Sequence, residues 1–314
     1  LKILHHTERR GVLFAFLAAF GFSFKAIFVK LAYASAVVDA VTLLTLRMVF
    51  CIPFVLFFAI PAIRKLPELS GRELSLLLML GVLGYYGSSM LDFYGLQYIS
   101  AGLERLILFT YPTMTMAMGI LFMGKKADGH LLLAAGLSYG GTAIAFLHDA
   151  GQSSDISRML WGSGFVFACA LLYAFYNAGS EIAIKRMGAN HFSLLAILIA
   201  TAAIILHFVV TRSPSTLQLP LPVYAYSMCM AIFSTILPIF WQSISIRHIG
   251  AARSVLIGTL GPALTLLFGW WLLHEPITLA QLAGTALVMA GVMLASSRSE
   301  QTTSQGELKH DPIY

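Results

Sequence analysis

The chain is poor in charge. Only 11% of its 314 residues are Asp, Glu, Lys or Arg, against 58% hydrophobic, whereas a soluble domain carries about a quarter charged residues. So little polar surface excludes a water-soluble fold. Cysteine is also scarce: Cys51, Cys169 and Cys229 lie in separate apolar stretches without a Cys-x-x-Cys pair, which excludes a disulfide framework and a zinc site. Segments of alternating polarity are missing, which excludes a barrel. The chain also lacks a phosphate-binding loop, His-Glu-x-x-His and Gly-x-Ser-x-Gly, and His148, His207 and His274 are scattered. No metal, no cofactor, no ATPase motor and no recognisable hydrolase is expected.

Long hydrophobic runs are abundant. A helix needs about 20 residues to cross a hydrocarbon core of about 30 Å. Ten such spans fit at 11–33, 39–61, 74–96, 102–123, 130–148, 159–182, 190–211, 222–245, 252–273 and 277–296. The expected fold is therefore an all-α integral membrane protein. The run after Lys2, Arg9 and Arg10 is too long for a signal h-region and contains Lys25 and Lys30, so it reads as an uncleaved first span. Residues 297–314 read as a polar, disordered cytoplasmic tail. With the N-terminus inside, Lys and Arg outside the spans fall 14 on the inner side, Lys125 and Lys126 among them, and 2, Arg158 and Arg212, on the outer. This is the positive-inside pattern of an inner (plasma) membrane protein with both termini cytoplasmic. The net charge of +6 is mainly this topology signal rather than a nucleic-acid surface.

Residue n laid beside n+150 reveals an internal repeat. Ile99, Ala101, Leu106, Ile107, Pro112, Thr115, Gly119, Leu132, Leu137, Gly141 and Ala145 meet identical residues at Ile249, Ala251, Leu256, Ile257, Pro262, Thr265, Gly269, Leu282, Leu287, Gly291 and Ala295. Residues 1–150 and 151–296 thus form two five-span units. An odd span number inverts the second unit relative to the first, a construction recurrent in secondary transporters.

Charges inside spans are costly and mark interior or water-filled settings. Lys25, Arg47, Asp92, Glu104 and Arg105 all count to the outer half of the membrane, and three cations against two carboxylates suit an anionic solute. The same five residues would also serve as a structural ion-pair network. Lys30 is expected to snorkel to the interface. Should Asp92 pair with Arg105, Glu104 is the freer carboxylate and the better proton carrier. Tyr85, Tyr86, Tyr111, Trp241 and Gln242 are candidates for a pathway lining, although core packing is the favoured account of them. Pro112 and Pro262, mid-span at matching repeat positions, each remove an amide and are candidate gating points. Trp270 and Trp271 suit an interface belt. Gly136-x-x-x-Gly140 and Ala286-x-x-x-Ala290 would permit close helix contact.

The stretches Leu96–Thr115, LQYISAGLERLILFTYPTMT, and His274–Val292, HEPITLAQLAGTALVMAGV, with the five-plus-five layout over 11–296, resemble the EamA-type transporters of the drug/metabolite transporter superfamily. The resemblance implies ten helices, cytoplasmic termini, a cavity between the halves, and export or exchange of small metabolites such as amino acids. Family members often carry an acidic residue after the fourth span of each half; here the first repeat has Lys125-Lys126 where the second has Glu275-Pro276. The expected function is a secondary transporter, and not an enzyme, that exports a small polar or amphipathic metabolite by alternating access. Proton coupling through Asp92 or Glu104, a monomer or homodimer, and partners limited to solute and lipid complete the reading. An intramembrane enzyme and a non-transporting receptor or scaffold are the alternatives.

Overall fold

The computed structural model describes residues 2–63, 69–124 and 129–308. The chain is helical, with no strand among the described residues. In lipid every backbone amide and carbonyl must find a partner within the chain, and a helix satisfies them locally. Among the described residues, nine helices are long and apolar enough to cross a membrane, from Glu8–Ser35 to Arg253–Leu273, and a tenth apolar segment covers Leu279–Ala295. Large apolar side chains face outward, among them Leu121, Phe122, Leu132 and Val210. Such a surface suits hydrocarbon and not water.

The helices are α1 (Lys2–Ser35), α2 (Ala40–Ile63), α3 (Gly71–Met79), α4 (Ser88–Gly95), α5 (Ala101–Leu108), α6 (Tyr111–Met123) and α7 (Gly129–Gln152) in the first half. The second half holds α8 (Ile156–Met187), α9 (Ala189–Thr211), α10 (Leu221–Ala231), α11 (Leu237–Ile249), α12 (Ala251–Gly258), α13 (Gly261–Leu273) and α14 (Leu279–Leu308). The third and eighth spans each contain a π-helical stretch, Leu80–Gly87 and Ile232–Ile236. Short polar caps set several boundaries: Ser70 with Glu73 caps α3, Ser100 caps α5, and Asp155 caps α8. One face of the bundle carries loops 36–39, 96–100, 153–155, 212–220 and 274–278, and is called the Asp39 face below.

The repeat is visible in backbone detail. The fourth span breaks at 109–110 and the ninth at 259–260, with the π-helical stretches also in register. Pro112 and Pro262 do not sit in continuous helices but open the second pieces, α6 and α13, where a missing amide costs no hydrogen bond. Those second pieces end on left-handed residues at matching positions, Gly124 at φ 64° and His274 at φ 56°. Packing exchanges the halves. The first span, α1, lies against α10 to α13, while α8 lies against α4, α5, α6 and the first π stretch. Second spans pair with each other, α2 on α9, and so do fifth spans, α7 on α14.

The α7–α14 contact does not use the expected small-residue stripes. A side chain at Gly136 or Gly140 would meet nothing, and Ala286 and Ala290 are exposed. Close approach runs instead through Gly141, Gly284 and Gly291: a Cβ on Gly141 would lie 2.6 Å from the Gly284 carbonyl oxygen, and one on Gly291 2.7 Å from that of Ala134. Many small residues line both helices, and their rotation selects which ones touch. The tail also differs from expectation: α14 continues as helix to Leu308, although Ser297, Ser299, Thr302, Thr303, Ser304 and Gly306 are weak helix formers. Lys125 and Lys126 lie outside the described residues.

Candidate substrate site

Three helices of the first repeat bring most of its intramembrane charges together. Lys25 on α1 places its Nζ 2.7 Å from Asp92 Oδ2 on α4 and 3.6 Å from Glu104 Oε1 on α5. Asp92 is 2% exposed and Glu104 0%. Apart from this ammonium and each other, the two carboxylates have no bonding partner among the described residues. Two carboxylates facing one lysine in so dry a place form a cluster in which every charge matters. The expected Asp92–Arg105 pair is not formed, because α1 inserts Lys25 between α4 and α5. The Arg105 guanidinium instead lies over the Phe109 ring at 5.2 Å and against Gly261, with Nε buried and unpartnered.

Arg47 on α2 reaches across the repeat boundary. Its Nε and Nη2 donate to Thr235 Oγ1 at 3.1 and 2.9 Å, and its guanidinium lies 5.8 Å over the Phe93 ring. The π stretch Ile232–Ile236 presents Thr235, whose hydroxyl donates to the Met230 carbonyl at 3.0 Å. Such stretches are frequent at functional sites because they turn side chains off the ordinary helical register. Neither Arg47 nor Arg105 has a carboxylate within ion-pair distance among the described residues. A small anion would complete their charge balance.

Aromatic rings adjoin the cluster. Tyr111 stands edge-on to Tyr173 at 4.8 Å, Tyr173 stacks on Tyr176 at 6.0 Å, and Tyr85 meets Tyr176 at 6.1 Å. Tyr111 and Tyr85 were expected here, whereas Tyr173 and Tyr176 on α8 were missed. Tyr86 turns away and bonds His207 Nδ1 at 2.6 Å.

The repeat supplies a signal for α8. Laying the sixth span on the first sets Gly11, Phe14, Phe16, Ala19, Phe24 and Ala32 beside identical Gly162, Phe165, Phe167, Ala170, Phe175 and Ala183. In that register Tyr176 is the counterpart of Lys25. Asp92 and Glu104 likewise correspond to Gln242 and Ser254. Two of these counterparts touch, and Tyr176 is not among them: Gln242 Nε2 donates to Ser254 Oγ at 3.1 Å, and Ser254 Oγ to Ser245 Oγ at 2.8 Å. The charged site therefore has a neutral copy in the opposite half of the membrane, where half-buried Trp241 also lies. Trp241 and Gln242 are not part of the ion cluster.

Lys30 does not simply snorkel. Its Nζ donates to the Ile99 carbonyl at 2.9 Å and stands 4.0 Å from Glu275 Oε1. Glu275, from the loop between α13 and α14, accepts the Ala101 amide on both oxygens at 3.1 Å and so caps α5 from the other repeat. Burial pushes the Glu275 carboxyl above its ordinary range, against the pull of Lys30 and the Ala101 and Gly102 amides. Trp270 and Trp271 face outward near the end of α13, as an interface belt requires.

Two inverted helical halves around a buried ionic site define a membrane transport protein, and the comparisons agree. The EamA-like transporter family matches residues 9–147 and again 160–297. The chain belongs to this family and is a multi-pass membrane transporter. It is 28% identical over 285 residues to the uncharacterized transporter YcbK of Bacillus subtilis, covering 87% of this chain and 88% of that protein. An uncharacterized transporter of Synechocystis sp. is 22% identical over 98% of this chain and 100% of its own. A protein of known crystal structure superposes with a TM-score of 0.63 at 16% identity, covering 93% of this chain and 98% of that one, which supports the fold.

Proposed function

We propose that the chain is a secondary transporter that exports a small metabolite bearing a carboxylate, an amino acid or a related amphipathic solute, in exchange for protons. The observation that carries this reading is the Lys25–Asp92–Glu104 cluster, buried where the two halves meet and flanked by Arg47 and Arg105 without carboxylates of their own among the described residues. The solute's anionic group neutralises the arginines, and its apolar part lies on Tyr85, Tyr111, Tyr173 and Tyr176. A proton taken up by the Asp92–Glu104 pair changes the hold on Lys25 and alters which packing of the halves is preferred. The second-repeat counterparts, Tyr176, Gln242 and Ser254, carry no carboxylate, so the paired carboxylates of the cluster belong to the first half. The breaks before Pro112 and Pro262, together with the π stretches, are where spans three, four, eight and nine bend.

The protein resides in the inner (plasma) membrane with both termini cytoplasmic, which places the Asp39 face outside. The test is flux from proteoliposomes loaded with a metabolite extract, with and without a pH gradient, at matched membrane potential and without sodium. Gradient-dependent loss of a carboxylate-bearing solute, abolished in Glu104→Gln and Arg47→Gln, is the expected result. Equal flux with and without the gradient, or wild-type flux in both variants, would overturn the mechanism.

A further inference from the structure

The Asp39 face holds an open groove of about 650 Å³, lined among others by Lys30, Tyr33, Asp39, Gln97, Tyr98 and Arg158. That size falls within the range of small-molecule sites, about 300–1,000 Å³. Its one carboxylate is committed: Asp39 Oδ1 accepts Arg212 Nε at 2.9 Å and caps α2 through the amides of Val41 and Thr42. The two cations are less committed. Among the described residues Lys30 has one hydrogen bond, to Ile99, and a carboxylate at the limit of ion pairing. Exposed Arg158 lies 5.6 Å over the Tyr98 ring and has no carboxylate partner among the described residues. Apolar lining comes from Val37, Val38 and Leu96.

The groove's residues are tied to the segments that carry the buried charges. Tyr33 donates to the Phe93 carbonyl at 2.9 Å, next to Asp92. Lys30 faces Glu275, which caps the helix that bears Glu104 and Arg105. Glu275 therefore already shows what this place accepts: a carboxylate between a lysine and the first amides of α5.

We propose that the groove is a vestibule site for a small amphipathic carboxylate, which takes Lys30 from Glu275 and loosens the cap on α5. The proposal rests on the transport reading and deepens it. Lys30 and Arg158 bind the anionic end, and Tyr98 with the valines receives the apolar end. A carboxylate arriving there competes with Glu275 for the same ammonium, so occupancy of the groove and the clamp on α5 are linked.

The probe is phenylacetate, with neutral 2-phenylethanol as the shape-matched control, titrated calorimetrically into full-length protein in phosphatidylcholine nanodiscs. Phenylacetate should bind at least tenfold more tightly than the alcohol. Lys30→Gln and the exposed Arg158→Gln should each weaken it severalfold, and Lys30→Arg should restore it. Equal binding of acid and alcohol, or unchanged binding in Arg158→Gln, would overturn the proposal. A second arm adds phosphatidylglycerol: unchanged phenylacetate affinity supports a solute site, whereas competition identifies an anionic lipid headgroup as the occupant and overturns it. Glu104→Gln should keep groove binding while losing flux. Binding that Arg158→Gln weakens, in protein that shows no flux, supports the groove and sinks the transport mechanism, so the two failures are separable.

Discussion

Replacing Lys25 by methionine removes the one cation that, among the described residues, is in ion-pair contact with Asp92 and Glu104, and leaves two carboxylates, 2% and 0% exposed, without it. Breaking a buried pair from one side costs about 3–5 kcal/mol. Two features set the magnitude here. The Lys25 side chain is 17% exposed, so some solvent reaches the cluster and the lower end applies. Relief is also available because the two neighbouring carboxyls can take up one proton between them; from ordinary pKa values this costs about 4 kcal/mol at pH 7, at 1.36 kcal/mol per unit. Lys25→Met should therefore destabilise by about 3–4 kcal/mol. Asp92→Asn leaves Lys25 with Glu104 and should cost less. In Lys25→Met/Asp92→Asn one of the two stranded charges is gone, so the double variant should be more stable than Lys25→Met alone. The assay is a double-mutant cycle read by reversible unfolding of purified protein in detergent. Costs that add to within about 0.5 kcal/mol would show that the two side chains do not interact and refute the pairing.

Helix packing and capping give two further tests. Gly141→Ala should destabilise by about 1–3 kcal/mol, since the added carbon meets Gly284 and Leu287, while Gly136→Ala and Gly140→Ala meet nothing and should be neutral or stabilising by up to about 1 kcal/mol; thermal unfolding that ranks them otherwise would refute the contact. Asp39→Ala should cost about 1 kcal/mol through the lost α2 cap. Burial acts to raise the Asp39 carboxyl, but bonds from Thr42 and Arg212 outweigh it and hold the group below its ordinary range. Its stabilisation is therefore complete above the unfolded carboxylate pKa and is lost as pH falls through the lower folded value, so the gap between wild type and variant should close below about pH 4. A gap that widens on acidification would contradict the sign.

The sequence by itself determined the bilayer, the spans and the repeat, because these depend on local quantities. A run of about 20 apolar residues is helical in lipid whatever its neighbours are, since its backbone has no other partners. Pairing n with n+150 likewise put Pro112 and Pro262 at matching places before any contact was known. The sequence also named Lys25, Arg47, Asp92, Glu104 and Arg105, because a charge in a span is conspicuous at any rotation of the helix. Their partners were decided only by tertiary structure. Neighbours on a helix point about 100° apart, so the adjacent Glu104 and Arg105 face different surroundings, and it took the packing of α1 against α5 to give Glu104 and Asp92 to Lys25. The same holds for Arg47 and Thr235, separated by 188 residues, and for Glu275 on the start of α5. The π stretches and the choice of Gly141 over Gly140 depend on rotation and register between helices, which composition leaves open and close packing resolves.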